Sequence, residues 1–127
     1  MTRLMLAISD RSPRARELVG SAATLAGQLG ANWFVVHVRQ PPTLHYRMPA
    51  TDHPVPEEEL AYARSLGAQV IIERGEVVEA LISFARTMSI NYFVTGRSFR
   101  SHFSFTWHLP LTEILQRRLP NTIVMIV

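Results

Sequence analysis

Hydrophobic positions fall along this chain in two textures, short and nearly unbroken apolar runs, and longer stretches in which apolar residues recur on one helical face. Arg3–Ser9 (RLMLAIS) and Trp33–Val38 (WFVVHV) have the first texture, which is that of strands buried on both faces. Between them Leu18, Ala22, Leu25, Ala26 and Leu29 share a helical face. Ser12 is the expected N-cap of that helix, Pro13 suits its first position and Gly30 its end. The opening third therefore predicts a βαβ unit, whose crossover is right-handed in nearly all known cases.

Arg39–Val55 contains Pro41, Pro42, Pro49 and Pro54 and no usable periodicity, which predicts a loop. Glu57, Glu58 and Glu59 follow Pro56 and favour the positive end of a short helix running to about Leu66, with Gly67 as its stop. Ala68–Arg74 (AQVIIER) reads as a third strand. Gly75 then leads into a helix that turns Val78, Ala80, Leu81, Phe84 and Ala85 inward, and Asn91–Thr95 is the returning fourth strand. After Gly96 comes a long loop. Pro110 opens a helix with Leu111, Ile114 and Leu115 at helical spacing, Pro120 breaks it, and Asn121–Val127 (NTIVMIV) is a fifth strand. Strands alternating with helices predict an α/β three-layer sandwich with a five-stranded parallel sheet, as one domain over residues 1–127.

Composition narrows the chemistry. The 127 residues suffice for one core, and the absence of cysteine removes disulfides, thiol nucleophiles and Cys-ligated metals. A reducing cytoplasm suits such a chain. No apolar run approaches the roughly 18 residues of a membrane span, and Met1–Ser9 lacks a signal-peptide pattern, so a soluble domain is expected. All 13 basic residues are arginine, but the formal charge is only +3, which favours a solvated surface over a nucleic-acid interface. His45 and His53 lack a third ligand at a recognisable spacing, and no metal is expected. Without a nucleophile elbow, HExxH or P-loop, the chain is not expected to be an enzyme.

The pattern resembles the universal stress protein family over essentially the whole chain. LAISDRSP resembles that family's first strand ending in Asp-x-Ser-Pro, LVGSAATLAGQLGANW its first helix and the start of its second strand, and ERGEVVEALISFARTMSINYFVTG its block of glycine, amphipathic helix, strand and glycine. Gly96-Arg97-Ser98, the arginine- and aromatic-rich residues after it, WFVVHVRQPP and the short acidic helix most resemble the stress-protein domain of KdpD-type potassium sensor histidine kinases. That likeness implies a non-catalytic cytoplasmic signalling module, attached to a membrane only through a longer parent chain and acting on the other domains of a kinase. A free-standing nucleotide-binding stress protein is the alternative.

The resemblance also implies a fold like that of the adenine nucleotide alpha hydrolases, with strand order 3-2-1-4-5. In such a sheet Asp10–Arg14 and Gly96–His108 face each other where strands 1 and 4 meet. Nucleotide-binding members carry a loop of Gly, two residues, Gly, nine residues, Gly and then Ser or Thr. Here Gly96 fits, whereas Phe99 replaces the second glycine and Leu109-Pro110 replaces the final Gly-Ser, which argues against ATP. Asp10, which would face the nucleoside, is retained. A Ser-x-Ser pair and a Phe-Thr-Ala-x-Tyr segment that hold a cyclic dinucleotide in some kinase-linked domains are matched in part by Asp10 and Ser12, and by Trp33, Phe34, Val35 and His37.

The candidate ligand-binding residues are therefore Asp10, Arg11, Ser12, His37, Gly96, Arg97, Ser98 and Arg100, with an anion or a cyclic dinucleotide as candidate ligand. Arg14 joins the arginines that would hold an anion with the first helix end; the alternative is that these arginines are solvated, or pair with Asp10 and Glu17. Phe99, Phe103, Phe105 and Trp107 would stack on a base or cover the sheet edge. The fifth strand, apolar on both faces and without a blunting charge, is expected at the sheet edge, where it would pair two copies of the chain as a homodimer.

Overall fold

A computed structural model describes residues 1–8, 14–39, 57–96 and 111–127. The elements run β1 (Arg3–Ile8), α1 (Ala15–Leu29), β2 (Asn32–Arg39), α2 (Glu57–Ser65), β3 (Gln69–Arg74), α3 (Val77–Thr87), β4 (Tyr92–Thr95), α4 (Leu111–Arg118) and β5 (Ile123–Ile126). All strand pairs are parallel and the order is β3-β2-β1-β4-β5. This is the α/β sheet that the alternation of textures predicts.

The strands sort their side chains by the period of two. Leu4, Leu6 and Ile8 of β1, with Trp33 and Val35 of β2 and Val94 of β4, pack under α1 and α2. Met5 and Ala7, with Phe34, Val36, Val38 and Phe93, pack under α3 and α4. Both faces of the central strands are thus dry, which is why their sequences are continuous apolar runs rather than alternating ones.

The helix ends depart from the sequence expectation in two places. Arg14, not Ser12, occupies the cap position of α1, with no side-chain capping bond, so that helix begins later than Ser12-Pro13 predicts; both of those residues lie outside the described ones. At α3 the cap is Glu76, whose carboxylate accepts from the amides of Val78 at 3.3 Å and Glu79 at 2.6 Å. Two orphan donors are satisfied there, and the negative charge sits at the positive helix end. Ile82 is a further core residue of α3, while Ala80 and Phe84 are only partly buried. Phe84 meets Phe34 edge to face at 5.6 Å.

Candidate functional site

The place where the sheet opens is set by register. β1 stays beside β2 as far as Ile8 and His37, and β4 stays beside β5 as far as Thr95 and Ile126. The ladder shared by β1 and β4 ends earlier, at Leu6 and Val94. Each strand therefore follows its outer neighbour beyond the last shared pair, and the two carboxyl ends part. In an open parallel sheet this is the crevice that takes ligands, because the helices that follow the strands also begin on that side.

Two of the predicted site residues lie among the described ones, and both border this end. His37 is fully buried, and the strand alternation puts it on the α1/α2 face with Trp33 and Val35. Gly96 follows β4 directly. A Cβ on Gly96 would stand 3.0 Å from both methyl carbons of Leu18, so the glycine is needed for the close approach of α1 and not for an unusual backbone angle. Thr95, which the sequence reasoning passed over, is buried at the end of β4 on the opposite face, its hydroxyl 3.5 Å from the carbonyl of Gly96. Its polar side chain closing an apolar run was the available signal. Asp10, Arg11, Ser12, Arg97, Ser98 and Arg100 lie outside the described residues, as do Phe99, Phe103, Phe105, Trp107, His45 and His53.

Arg14 pairs with a carboxylate of its own helix. Its guanidinium folds back onto Glu17, with Nε 2.8 Å from Oε2 and Nη2 on the same oxygen. Pairing with Glu17 was one of the two readings of these arginines, and for Arg14 it holds. Among the described residues no group of three His, Cys, Asp or Glu is placed to hold a metal ion, and no helix is long and apolar enough to cross a membrane.

Clefts of about 440 Å³ and 360 Å³ lie at the other edge of the sheet. The larger is lined by Gly27, Gly30, Trp33 and Gly67, the smaller by Arg86, Ser89, Asn91, Arg118 and Thr122. Helices α1 and α2 end beside the larger, α3 and α4 beside the smaller. The negative ends of the helix dipoles therefore face these clefts, which disfavours an anion there. Helix dipoles and strand register make the carboxyl edge the better place for a negatively charged group.

A model of the universal stress protein family matches residues 1–107. The chain belongs to the universal stress protein family. Solved family structures share its fold: a universal stress protein in complex with cAMP superposes with a TM-score of 0.67 at 20% identity, over 99% of this chain and 96% of that one. A universal stress protein from Archaeoglobus fulgidus in complex with dAMP gives 0.59 at 20% identity, over 99% and 97% of the two chains. UspA from Lactobacillus plantarum gives 0.65 at 17% identity, over 99% and 97%. No curated protein sequence matches the chain.

Proposed function

We propose that this universal stress protein domain regulates by binding, without catalysis, and takes an anionic ligand of the nucleotide class where β1 and β4 part. The observation that carries this reading is the early end of the β1–β4 ladder, with buried His37 on one side of the opening and Gly96 on the other. It is supported by the two family structures that hold cAMP and dAMP. Asp10, Arg11, Ser12, Arg97, Ser98 and Arg100 would complete the site, since their positions directly follow Ile8 and Gly96. ATP is disfavoured by Phe99 and Pro110 at the positions of the missing glycines. Calorimetry with cAMP, dAMP, a cyclic dinucleotide and ATP tests the reading. Binding of at least one of the first three is expected; no heat with any of them, or ATP binding with a low-micromolar dissociation constant, near −8 kcal/mol, would overturn it.

We propose further that the domain serves as the cytoplasmic module of a potassium or osmotic sensor histidine kinase. Support comes from Gly96-Arg97-Ser98, the arginine-aromatic sequence after it, WFVVHVRQPP and the acidic start of α2. The free-standing alternative is equally consistent with the family likeness. The reading frame decides: membrane-spanning and kinase segments in it support the kinase module, and a stop codon directly after Val127 contradicts it.

Self-association through β5 completes the proposal. Among the described residues β5 has a neighbour on one side only, and Ile123 and Ile126 are 55% and 51% exposed. The amides of Ile123 and Val127 donate inward to the carbonyls of Asn91 and Thr95, so by alternation those of Val124 and Ile126 point away from the sheet. Val124→Pro removes an outward donor while sparing the β4 ladder. In sedimentation velocity the wild type should run as a dimer at micromolar concentration and Val124→Pro as a folded monomer; a monomeric wild type would refute the pairing.

A further inference from the structure

Helix α2 is attached to the molecule differently from α1 and α3. Those two helices each bury a stripe, Ala15, Leu18, Val19, Ala22 and Ala26 in α1, and Val77, Val78, Leu81, Ile82 and Ala85 in α3. α2 buries only Leu60 and Ala63. Much of the rest of its contact with its neighbours is charged. The side chain of Glu59 is only 18% exposed, and its Oε2 is wholly covered without a hydrogen-bond partner. Among the described residues its counter-charge is Nη1 of Arg16 on α1, at 3.7 Å, too far for a hydrogen bond. Arg16 in turn lies over the ring of Tyr62 of α2 at 4.3 Å. At the amino end of α2, Glu57 sits 4.0 Å from Nη2 of Arg39, the last residue of β2, whose Nε is also covered and unbonded.

A carboxylate and a guanidinium nitrogen are thus withdrawn from water without the hydrogen bonds that would offset the loss, and are held mainly by charge at a distance. The charged part of the contact can be released at low cost, because water supplies on opening what the closed state does not, which leaves Leu60 and Ala63 as the small apolar patch that opening must expose. We propose that α2 is a latch that swings free of α1, β3 and the end of β2 as a unit while the sheet, α1 and α3 stay folded, with Glu59, Arg16 and Tyr62 as its catch. The latch closes over the α1/α2 face, the face that also carries His37. It is independent of any ligand, and its failure would leave the proposed binding site standing.

Amide hydrogen exchange on the 127-residue chain reads the latch directly. The α2 amides should exchange at least about tenfold faster than those of α1 and α3, reflecting a local rather than a global opening. Raising salt from about 0.01 M to about 1 M shrinks the Debye length from roughly 30 Å to roughly 3 Å, and should speed α2 several-fold relative to α1. Glu59→Met, which keeps the volume and removes the stranded charge, should slow α2 and weaken its salt response, leaving the part due to Glu57 and Arg39. Arg16→Ala, which leaves Glu59 without its counter-charge, should speed α2 by about tenfold while α3 protection certifies the fold. Exchange of α2 at the pace of α1 and α3, an α2 rate indifferent to salt in the wild type, or a salt response undiminished in Glu59→Met would each overturn the latch.

Discussion

The two edges of this sheet are built from the same strands and finished in opposite ways. At the amino edge, segments distant in sequence are sewn together. Arg3 and Asn91 exchange bonds, the amide of Arg3 donating to Oδ1 at 2.8 Å and the amide of Asn91 to the Arg3 carbonyl at 2.9 Å. Arg3 Nη1 also donates to the Met88 carbonyl, Arg86 Nη2 to the Arg118 carbonyl and the Thr122 hydroxyl to the Ile90 carbonyl. The two arginines satisfy helix-end carbonyls and complement the dipoles. At the carboxyl edge β1 and β4 separate, and buried His37 and Thr95 stand where apolar residues would pack more simply. Among the described residues the amino edge is held by long-range hydrogen bonds, and two buried polar side chains stand at the carboxyl edge.

The largest test strikes what both edges share. Phe93 is fully buried in β4 under α3 and α4. Phe93→Ala should cost about 3–5 kcal/mol in denaturant unfolding, and a loss below about 1 kcal/mol would mean that the edges do not rest on a common core. Gly96→Ala sharpens the comparison on the open side. Its methyl group meets the flexible end of Leu18, so a cost of about 1–2 kcal/mol is expected, shrinking in a Leu18→Ala background. An undiminished cost there would place the glycine's role elsewhere. On the sewn side Asn91→Ala should cost about 1 kcal/mol and leave ligand affinity unchanged. A loss of affinity would break the division between the edges.

The smallest effect belongs to the exposed surface where α3 and α4 meet. The hydrogen bond from Arg118, and then its charge, hold the Glu79 carboxyl below its usual range. A lowered folded-state value means that the pair's contribution is present above the unfolded value, near pH 4.3, and fades as pH falls through the lower one. Glu79→Gln should slightly flatten the acid limb of the stability curve and change nothing at neutral pH beyond the small loss of an exposed pair. An acid limb of unaltered steepness would remove Glu79 from the account.

The elements were legible because burial writes itself into periodicity. β1 and β2 announced themselves as apolar runs, and the three glutamates after Pro56 marked the start of α2. The strand order came from family likeness, since nothing local in Leu4 says that Tyr92 lies opposite it. Capping was read less well. Ser12-Pro13 is a strong local signal, yet α1 starts at Ala15, whereas the cap at Glu76 was legible as an acid just before VVEALI and went unread. Of the candidate site, His37 and Gly96 fall at the expected edge, but the reason for Gly96 is the approach of Leu18, a tertiary contact that no spacing reveals. The charged contact of Arg16 with Glu59 and Tyr62 joins residues far apart in sequence, and was invisible for the same cause.

The most direct test follows backbone amide resonances while cAMP or dAMP is titrated into the labelled protein. The account predicts shifts concentrated at the carboxyl edge, at His37, Thr95 and Gly96, with Ser89–Asn91 and Leu119–Thr122 left in place. Shifts gathered instead around Ser89–Asn91 and Leu119–Thr122, or around Gly27–Trp33 and Leu66–Gln69, would contradict it.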